Sequence, residues 1–468
     1  MTATASGDFA ARAEQAIGDR RLQAALGRVT AVFGSRRASA FASLPNADAV
    51  RDAARAARLN AVANLADYLE RFEARLIANG ARVHWAETPA DANAIVARIA
   101  KETGCTRAVK SKSMVSEETH LNDALEAVGV TTVETDLGEY IVQLANDRPS
   151  HIIAPIIHLT RQDVGHVMEQ RLRVPYTDDT QQLCATARAR LRGEFLRADM
   201  GISGANFGVA DTGTIVLVTN EGNGRMVTTL PRVHVVLMGI EKLVGNLTEL
   251  DACLKVLARS GTGQQLTVYT TMVSGPRRAN DADGPDELHV VLLDNGRSRI
   301  RAGDTAEILG CIRCGACLNV CPVYRNIGGH AYGDTYPGPV GAVVTPGLRG
   351  LEPWRDLPHA SSLCGACRDV CPVRLDIPRM LLALRRDVAA ADLQPQSLAW
   401  GMKVFAWTAS RPAVYRVTAR AARAWLRMKA RNGWIRSLPG LAGGWTQSRD
   451  VRAPAARTFQ EQWQERTR

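Results

Sequence analysis

The chain runs to 468 residues, 46% of them hydrophobic and 22% charged, with a formal net charge of +11. That length and apolar content exclude a disordered tail or a disulfide-stapled miniprotein and leave room for two or three folding units. No stretch approaches the roughly eighteen consecutive apolar residues of a membrane span, and MTATASGDFA at positions 1–10 lacks the basic start and apolar run of a secretory signal. A cytoplasmic protein without a transmembrane segment is therefore expected.

Residues 1–60 read as an N-terminal helical region. From about Ala10 to Gly80, Ala, Arg, Leu and Glu predominate and apolar positions recur at helical spacing, which predicts two or three helices. The texture changes from Val83 onward. HIIAPIIHL (151–159), TGTIVLVT (212–219), VHVVLMGI (233–240), LTVYTTMV (266–273) and LHVVLLD (288–294) read as buried strands, whereas DANAIVARIAKETG (91–104) and SEETHLNDALEAVG (116–129) read as helices. Strands alternating with helices make residues 61–300 an α/β domain with a substantially parallel sheet.

Within that domain three weaker signals have plain readings. GISGANFG (201–208) is not a GxGxxG run and no strand clearly precedes it, so it reads as a tight turn. Lys110, Lys112 and Ser113 could cradle an anion or form a solvated loop. Cys105, Cys184 and Cys253 stand alone and are most simply small buried apolar residues. The polar segment NGRSRIRAGD (295–304), with its two glycines and three arginines, suits a linker.

Seven of the ten cysteines then fall between Cys311 and Cys371, a clustering that in a reducing compartment signals metal or redox chemistry. The first run is Cys311-x2-Cys314-x2-Cys317-x3-Cys321-Pro322; the second is Cys364-x2-Cys367-x3-Cys371-Pro372. Such spacing wraps three thiolates around one iron–sulfur cubane, while the cysteine before proline ligates the other cluster. By that crosswise rule Cys311, Cys314, Cys317 and Cys371 hold one 4Fe-4S cluster, and Cys321, Cys364 and Cys367 hold a second. Ser361 occupies the place of the missing cysteine. The second cluster is accordingly a 3Fe-4S centre or a 4Fe-4S centre closed by Ser361, water or a partner's ligand, with His359 and Asp369 as further candidates. Gly315, Ala316, Gly365 and Ala366 let the backbone approach the sulfides. Two zinc sites are the competing reading, but zinc favours closed sets of four built from separated pairs. His330 and His359 flank the loop between the runs. Residues 301–385 thus form a helical dicluster domain.

The remaining residues, 386–468, are a basic region carrying six of the eight tryptophans (Trp400, Trp407, Trp425, Trp434, Trp445 and Trp463). From Arg379 on, 17 Lys and Arg face 5 Asp and Glu, so this end carries essentially all the net charge. Irregularly spaced tryptophans look like a docking surface for a partner chain or a peripheral membrane contact, rather than a nucleic-acid platform.

KSKSMVSEE (110–118), ETDLGEYIVQL (134–144), SGANFGVADTGTIVLVTNEGNGRM (203–226), the two cysteine runs and HAYGDTYPGPVGAVVTP (330–346) together resemble the lactate utilization protein B family. The resemblance implies an α/β fold like that of coenzyme A transferases and sugar-phosphate isomerases, and a cysteine unit like the helical dicluster ferredoxins of succinate and heterodisulfide reductases. It assigns the same two ligand sets as the spacing does. It further implies an electron-carrying subunit of an L-lactate-oxidising complex, working with other subunits and leaving the electron acceptor and the oxidising site open. Oxidation of lactate to pyruvate releases two electrons and two protons, usually to a flavin or nicotinamide, for which no clear site is visible. Glu221 in NEGNGRM (220–226) lies in a context like the Ser-Glu-Asn-Gly of coenzyme A transferases, but the order Glu-Gly-Asn-Gly fits a turn better. Two rival readings remain: an α/β domain that itself binds a small hydroxy acid or acyl substrate, and a quinone-linked reductase subunit anchored to the membrane by its tail.

Overall fold

Four helices, rather than two or three, precede the first strand: Phe9–Gly18, Arg20–Ala42, Ala47–Ala63 and Leu65–Ala78. Their Ala, Arg and Leu content favours helix, and the breaks between them fall at Asp19, Asn46 and Asn64. Asp19 caps the second helix by accepting from the backbone N–H groups of Arg21 and Leu22. The structure is a computed structural model that describes residues 9–447 and 449–466. One compact unit ends at Leu393 and a second begins at Gln394.

The first unit contains ten strands: β1 (Arg82–Ala86), β2 (Arg107–Lys110), β3 (Thr131–Glu134), β4 (Met200–Ser203), β5 (Phe207–Val209), β6 (Thr214–Thr219), β7 (Val233–Gly239), β8 (Leu243–Val244), β9 (Tyr269–Val273) and β10 (Glu287–Leu293). Six form a wholly parallel sheet in the order β1-β10-β7-β4-β2-β3. Every residue of β7 is buried, as a strand covered on both faces requires. The chain leaves β2 toward the β3 edge and returns through β4 on the other side of β2. The strand order therefore reverses between β2 and β4, and their carboxyl ends flank the crevice in which open α/β sheets characteristically bind ligands.

A second sheet, β8-β5-β6-β9, was not anticipated as a separate body. It is antiparallel except between β5 and β8. LTVYTTMV enters it only from Tyr269 and lies largely at the surface, with Leu266, Val268, Tyr269 and Met272 all exposed.

Three further expectations are corrected. HIIAPIIHL is not a strand: the Ser150 N–H donates to Pro155 O, and His151 Nδ1 accepts from the N–H groups of Ile153 and Ala154, so the backbone turns on itself. Pro155 also has no N–H to give a ladder. The stretch 116–129 breaks at left-handed His120 into two short helices, Met114–Thr119 and Leu121–Glu126. NGRSRIRAGD, read as a linker, is packed in rather than open, because Arg297 within it is among the largest fully buried side chains of the molecule.

One apolar core joins the N-terminal helices (Leu26, Ala57), the second sheet (Phe207, Val216), the helix Leu247–Gly261 (Leu250, Val256) and the cysteine-rich region (Tyr324, Val343, Leu375). The second unit consists chiefly of the helices Gln396–Ala409 and Pro412–Lys429, neither of which buries a residue. Among the described residues no helix is long and apolar enough to cross a membrane.

Candidate metal centre

The two cysteine runs fold as copies of one loop. In the first, Arg313 lies at φ 57° and Gly315 at φ 74°, on either side of Cys314; in the second, Leu363 at φ 55° and Gly365 at φ 86° flank Cys364. Two left-handed residues around one cysteine reverse the chain sharply, and only glycine takes that conformation without a Cβ penalty. The Arg313 N–H donates to Cys311 Sγ at 3.4 Å, and the Leu363 N–H donates to Ser361 Oγ at 3.1 Å. Ser361 therefore stands in the second loop where Cys311 stands in the first, in backbone register as well as in sequence.

All seven thiols are free, and five are buried; Cys311 is half-buried and Cys364 exposed. Burial raises the pKa of Cys314 and Cys317 strongly and pushes Cys367 up to about 12 and Cys371 up to about 11. Neighbouring thiols add to this in two groups. Cys314 feels Cys371 and Cys311, and Cys317 feels Cys311 and Cys314 most strongly, whereas Cys321 feels Cys364 and Cys367 feels Cys321 and Cys364. Thiols this close and this costly to ionise alone are suited to sharing a metal charge, which holds them as thiolates. Backbone N–H groups already point at them: that of Tyr324 to Cys321 Sγ, that of Ala316 to Cys314 and that of Leu375 to Cys371. The donor set fits iron–sulfur clusters, which use such bonds to tune their potentials.

Two groups of residues fasten this region to the α/β sheet. Burial, with Lys112 adding to it, lowers the His151 pKa to about 3. Its Nδ1 accepts two backbone bonds, which places the proton on Nε2, and that N–H donates to Asn319 Oδ1 at 3.2 Å. The second group is ionic. Arg297 forks onto Glu118 at 2.8 and 2.9 Å and gives Nε to Glu241 at 2.6 Å. Asn295 and the Tyr336 hydroxyl complete the Glu118 carboxylate at 2.6 and 2.8 Å. Burial disfavours the Glu241 charge, yet Arg297, Lys242 and Arg313 outweigh it and bring its pKa to about 2. Nothing in the spacing of Glu118, Glu241 and Arg297, scattered over 179 residues, announces this cluster; only Glu241, set in the apolar run VVLMGIEKLV, hints at it.

A cavity of about 240 Å³ opens between the carboxyl ends of β2 and β4 and the first cysteine loop. It gathers several of the weaker signals. Lys112, Ser113, Gly204, Asn206 and Glu221 line it together with Cys314. The Gly-rich run thus begins inside β4, and its Gly204, Ala205 and Asn206 form a wall of the cavity. Lys110 is not available to an anion, since Glu117 and Glu134 hold its Nζ at 2.8 and 2.7 Å. Burial raises the Glu221 pKa, with Asp136 adding to the effect.

The other candidates are more ordinary. His330 lies edge-on to His158 and bonds Arg148 O at 2.8 Å, while His158 bonds Asp147 at 2.8 Å. Asp147, His158 and His330 bring donor atoms within 4.8 Å of one another, but these bonds already engage them. His359 and Asp369 are both exposed, and Asp369 sits in a charged surface groove with Arg51, Arg55 and Arg374. Cys105 and Cys253 are buried as expected, whereas Cys184 is exposed. It lies one position off the face of helix Thr180–Arg197 that buries Leu183, Ala187, Leu191 and Phe195.

Comparisons with known proteins agree with this layout. Residues 69–293 match the LUD domain, residues 307–375 a 4Fe-4S dicluster domain, and residues 393–468 the C-terminal region of lactate utilisation protein B. The chain is 41% identical over 434 residues to lactate utilization protein B of Bacillus licheniformis, covering 92% of this chain and 91% of that one. It is 40% identical over 414 residues to the uncharacterized electron transport protein YkgF of Escherichia coli, covering 88% and 87%. A crystal structure of a DUF162 family protein from Deinococcus radiodurans aligns with 49% of this chain and 98% of its own at 15% identity, with a TM-score of 0.29.

Proposed function

Because the chain belongs to the lactate utilization protein B family, and is an iron–sulfur, electron-transport protein of the lactate utilization system, we propose that it relays electrons between subunits that oxidise L-lactate and an acceptor still to be identified. The dicluster match and the cysteine runs imply two iron–sulfur clusters. In this reading Cys311, Cys314, Cys317 and Cys371 hold the first, and Cys321, Cys364 and Cys367 hold the second, with Ser361 beside its open corner. When bound, such clusters supply one-electron carriers in series.

The protein's own part is to hold and insulate. Backbone N–H groups stabilise the sulfurs, His151 and the Glu118–Arg297–Glu241 cluster fix the first loop against the sheet, and burial of Cys314, Cys317 and Cys371 shields three of the four thiols of that set from water. Exposed Cys364 makes the second set the natural point of exchange with a partner. The α/β domain is proposed to share the fold of coenzyme A transferases and sugar-phosphate isomerases, and the compartment is proposed to be the cytoplasm. The basic, tryptophan-bearing end is proposed as the docking element for a partner subunit. Lactate oxidation itself is placed on another chain.

The observation that carries the relay is the duplicated loop, with its paired left-handed residues and its matching N–H bonds to Cys311 and Ser361. Anaerobic purification followed by iron and sulfide counts tests it. About seven to eight irons per chain are expected from these thiolates, and Cys314→Ala and Cys367→Ala should each abolish the paramagnetic signal of a different cluster. Two zinc ions per chain without sulfide would sink the proposal.

A further inference from the structure

The cavity beside the first cysteine loop has three features that the relay does not use. It lies at the switch point of the parallel sheet, between β2 and β4. Its wall includes Cys314, one of the thiols assigned to the first cluster. It also carries buried cations without full partners: Arg313 leaves Nε and Nη1 with no hydrogen bond among the described residues, and its Nη2 reaches Glu241 only at 3.7 Å. Glu241 is meanwhile engaged by Arg297 at 2.6 Å. Lys242, only 7% exposed, lines the same space. Around this wall Arg297, Arg313 and Lys242 confront two carboxylates, Glu118 and Glu241, while buried Arg58 binds only backbone carbonyls. Lys112 lines the space too: its Nζ has no hydrogen-bond partner among the described residues and stands 3.3 Å from Glu139, whose charge burial disfavours. An uncompensated buried cation is costly unless an anion pairs with it.

We propose that this cavity binds a small organic carboxylate of the 2-hydroxy- or 2-oxo-acid class, its carboxylate on Arg313 and Lys242 and its 2-oxygen toward Asn223, whose amide accepts from a hydroxyl or donates to a carbonyl. The choice of acid class rests on the lactate-utilization reading; the presence of an anion site does not. A volume of about 240 Å³ suits an acid of a few carbons and falls below the roughly 300–1,000 Å³ of drug-sized ligands. Asn223 is buried with Oδ1 unpartnered, ready to accept from a hydroxyl. Glu221 and Asp136 line the remaining wall. Asp136 already accepts from the N–H groups of Gly138 and Glu139, which tempers its repulsion of an anion. A ligand so placed lies against the first cysteine loop, so its occupancy is sensed at the metal centre without any bond to it.

The test is calorimetric titration of the full-length, cluster-loaded chain under anaerobic conditions with L-lactate and with pyruvate, inorganic phosphate serving as the control anion. Paramagnetic resonance of the reduced protein is recorded with and without each. Saturable binding of either acid is expected, with a change in the signal that Cys314→Ala abolishes and no change in the other. Lys242→Met should weaken binding at least tenfold, about 1.4 kcal/mol, and Lys242→Arg should restore most of it. Glu221→Gln, which removes a carboxylate from the cavity wall, should tighten it. Absence of saturable binding in the cluster-loaded wild-type chain would overturn the site and leave the relay intact, because the cations would then serve only to offset thiolate charge. Equal binding of phosphate and both acids would overturn the carboxylate class. A chain that binds the acids but never holds iron would instead refute the relay and keep the site.

Discussion

In the proposed assignment, Ser361 stands at the open corner of the second centre. Its Oγ accepts the Leu363 N–H just as Cys311 Sγ accepts that of Arg313, so the backbone is already shaped for a fourth ligand and only the atom differs. A serine oxygen is a harder donor than a thiolate and must lose its proton to bind iron well. Mild oxidation of the wild-type chain should therefore release iron from the second cluster first, leaving a three-iron signal while the first cluster survives. Ser361→Cys should slow that loss several-fold and shift the potential of the second cluster, and Ser361→Ala should change little if water or a partner fills the corner. Equal oxidative lability of both clusters, unmoved by Ser361→Cys, would show that another group closes the site. His359 and Asp369 are the residues to substitute in that event, although both are exposed and arginines share the groove of Asp369. The matching places of Cys311 and Ser361 were legible in the sequence, because the two runs share one spacing. The left-handed conformations of Arg313 and Leu363 were not, since neither residue type announces a positive φ.

At the scale of elements, legibility followed how local the determining forces are. The parallel strands β7 and β10 could be read because burial on both faces leaves a continuous apolar run. HIIAPIIHL has the same texture and was misread for that reason: its apolar residues are buried against the cysteine region by a turn closed on Ser150, His151 and Pro155, not by a ladder. NGRSRIRAGD failed in the opposite direction. Its arginines look solvated, but Arg297 finds Glu118 and Glu241 far away in sequence and becomes the pin between sheet and cysteine loop. Removing one partner of a buried ion cluster strands the others, at about 3–5 kcal/mol. Arg297→Met should thus lower the unfolding free energy of the anaerobic protein, extrapolated from guanidinium titration, by an amount in that range. Adding Glu118→Leu and Glu241→Met should recover much of it, because apolar side chains of similar size leave no buried charge unpaired. An unfolding free energy unchanged by Arg297→Met alone would mean that water reaches the two carboxylates.

Across the whole molecule, net charge and six of the eight tryptophans are concentrated in the C-terminal unit. The first unit, ending at Leu393, holds all ten strands of the two sheets and all seven clustered cysteines around cores that include both. The second begins at Gln394 and carries Trp400, Trp407, Trp425, Trp434, Trp445 and Trp463, between 39% and 69% exposed. Its helix Gln396–Ala409 also exposes Leu398, Met402, Val404 and Phe405, an apolar surface with no buried residue of its own. From Gln394 to Arg449 the sequence has no Asp or Glu. An apolar, cationic surface of this kind fits an acidic partner, whose approach it steers and whose apolar side chains it covers. Truncation after Leu393 should accordingly leave iron and sulfide content unchanged while weakening recovery of the partner subunits in anaerobic pull-down. The attraction between exposed charges is screened over roughly 8 Å at physiological ionic strength, so added salt should weaken assembly of the full chain and affect the truncated chain far less. Trp400→Ala with Trp407→Ala should reproduce part of the truncation at low salt, because it removes apolar area without altering charge. If the truncated chain instead assembles as well as the full one at every ionic strength, the docking surface lies on the first unit, and exposed Cys364 marks the place to look for it.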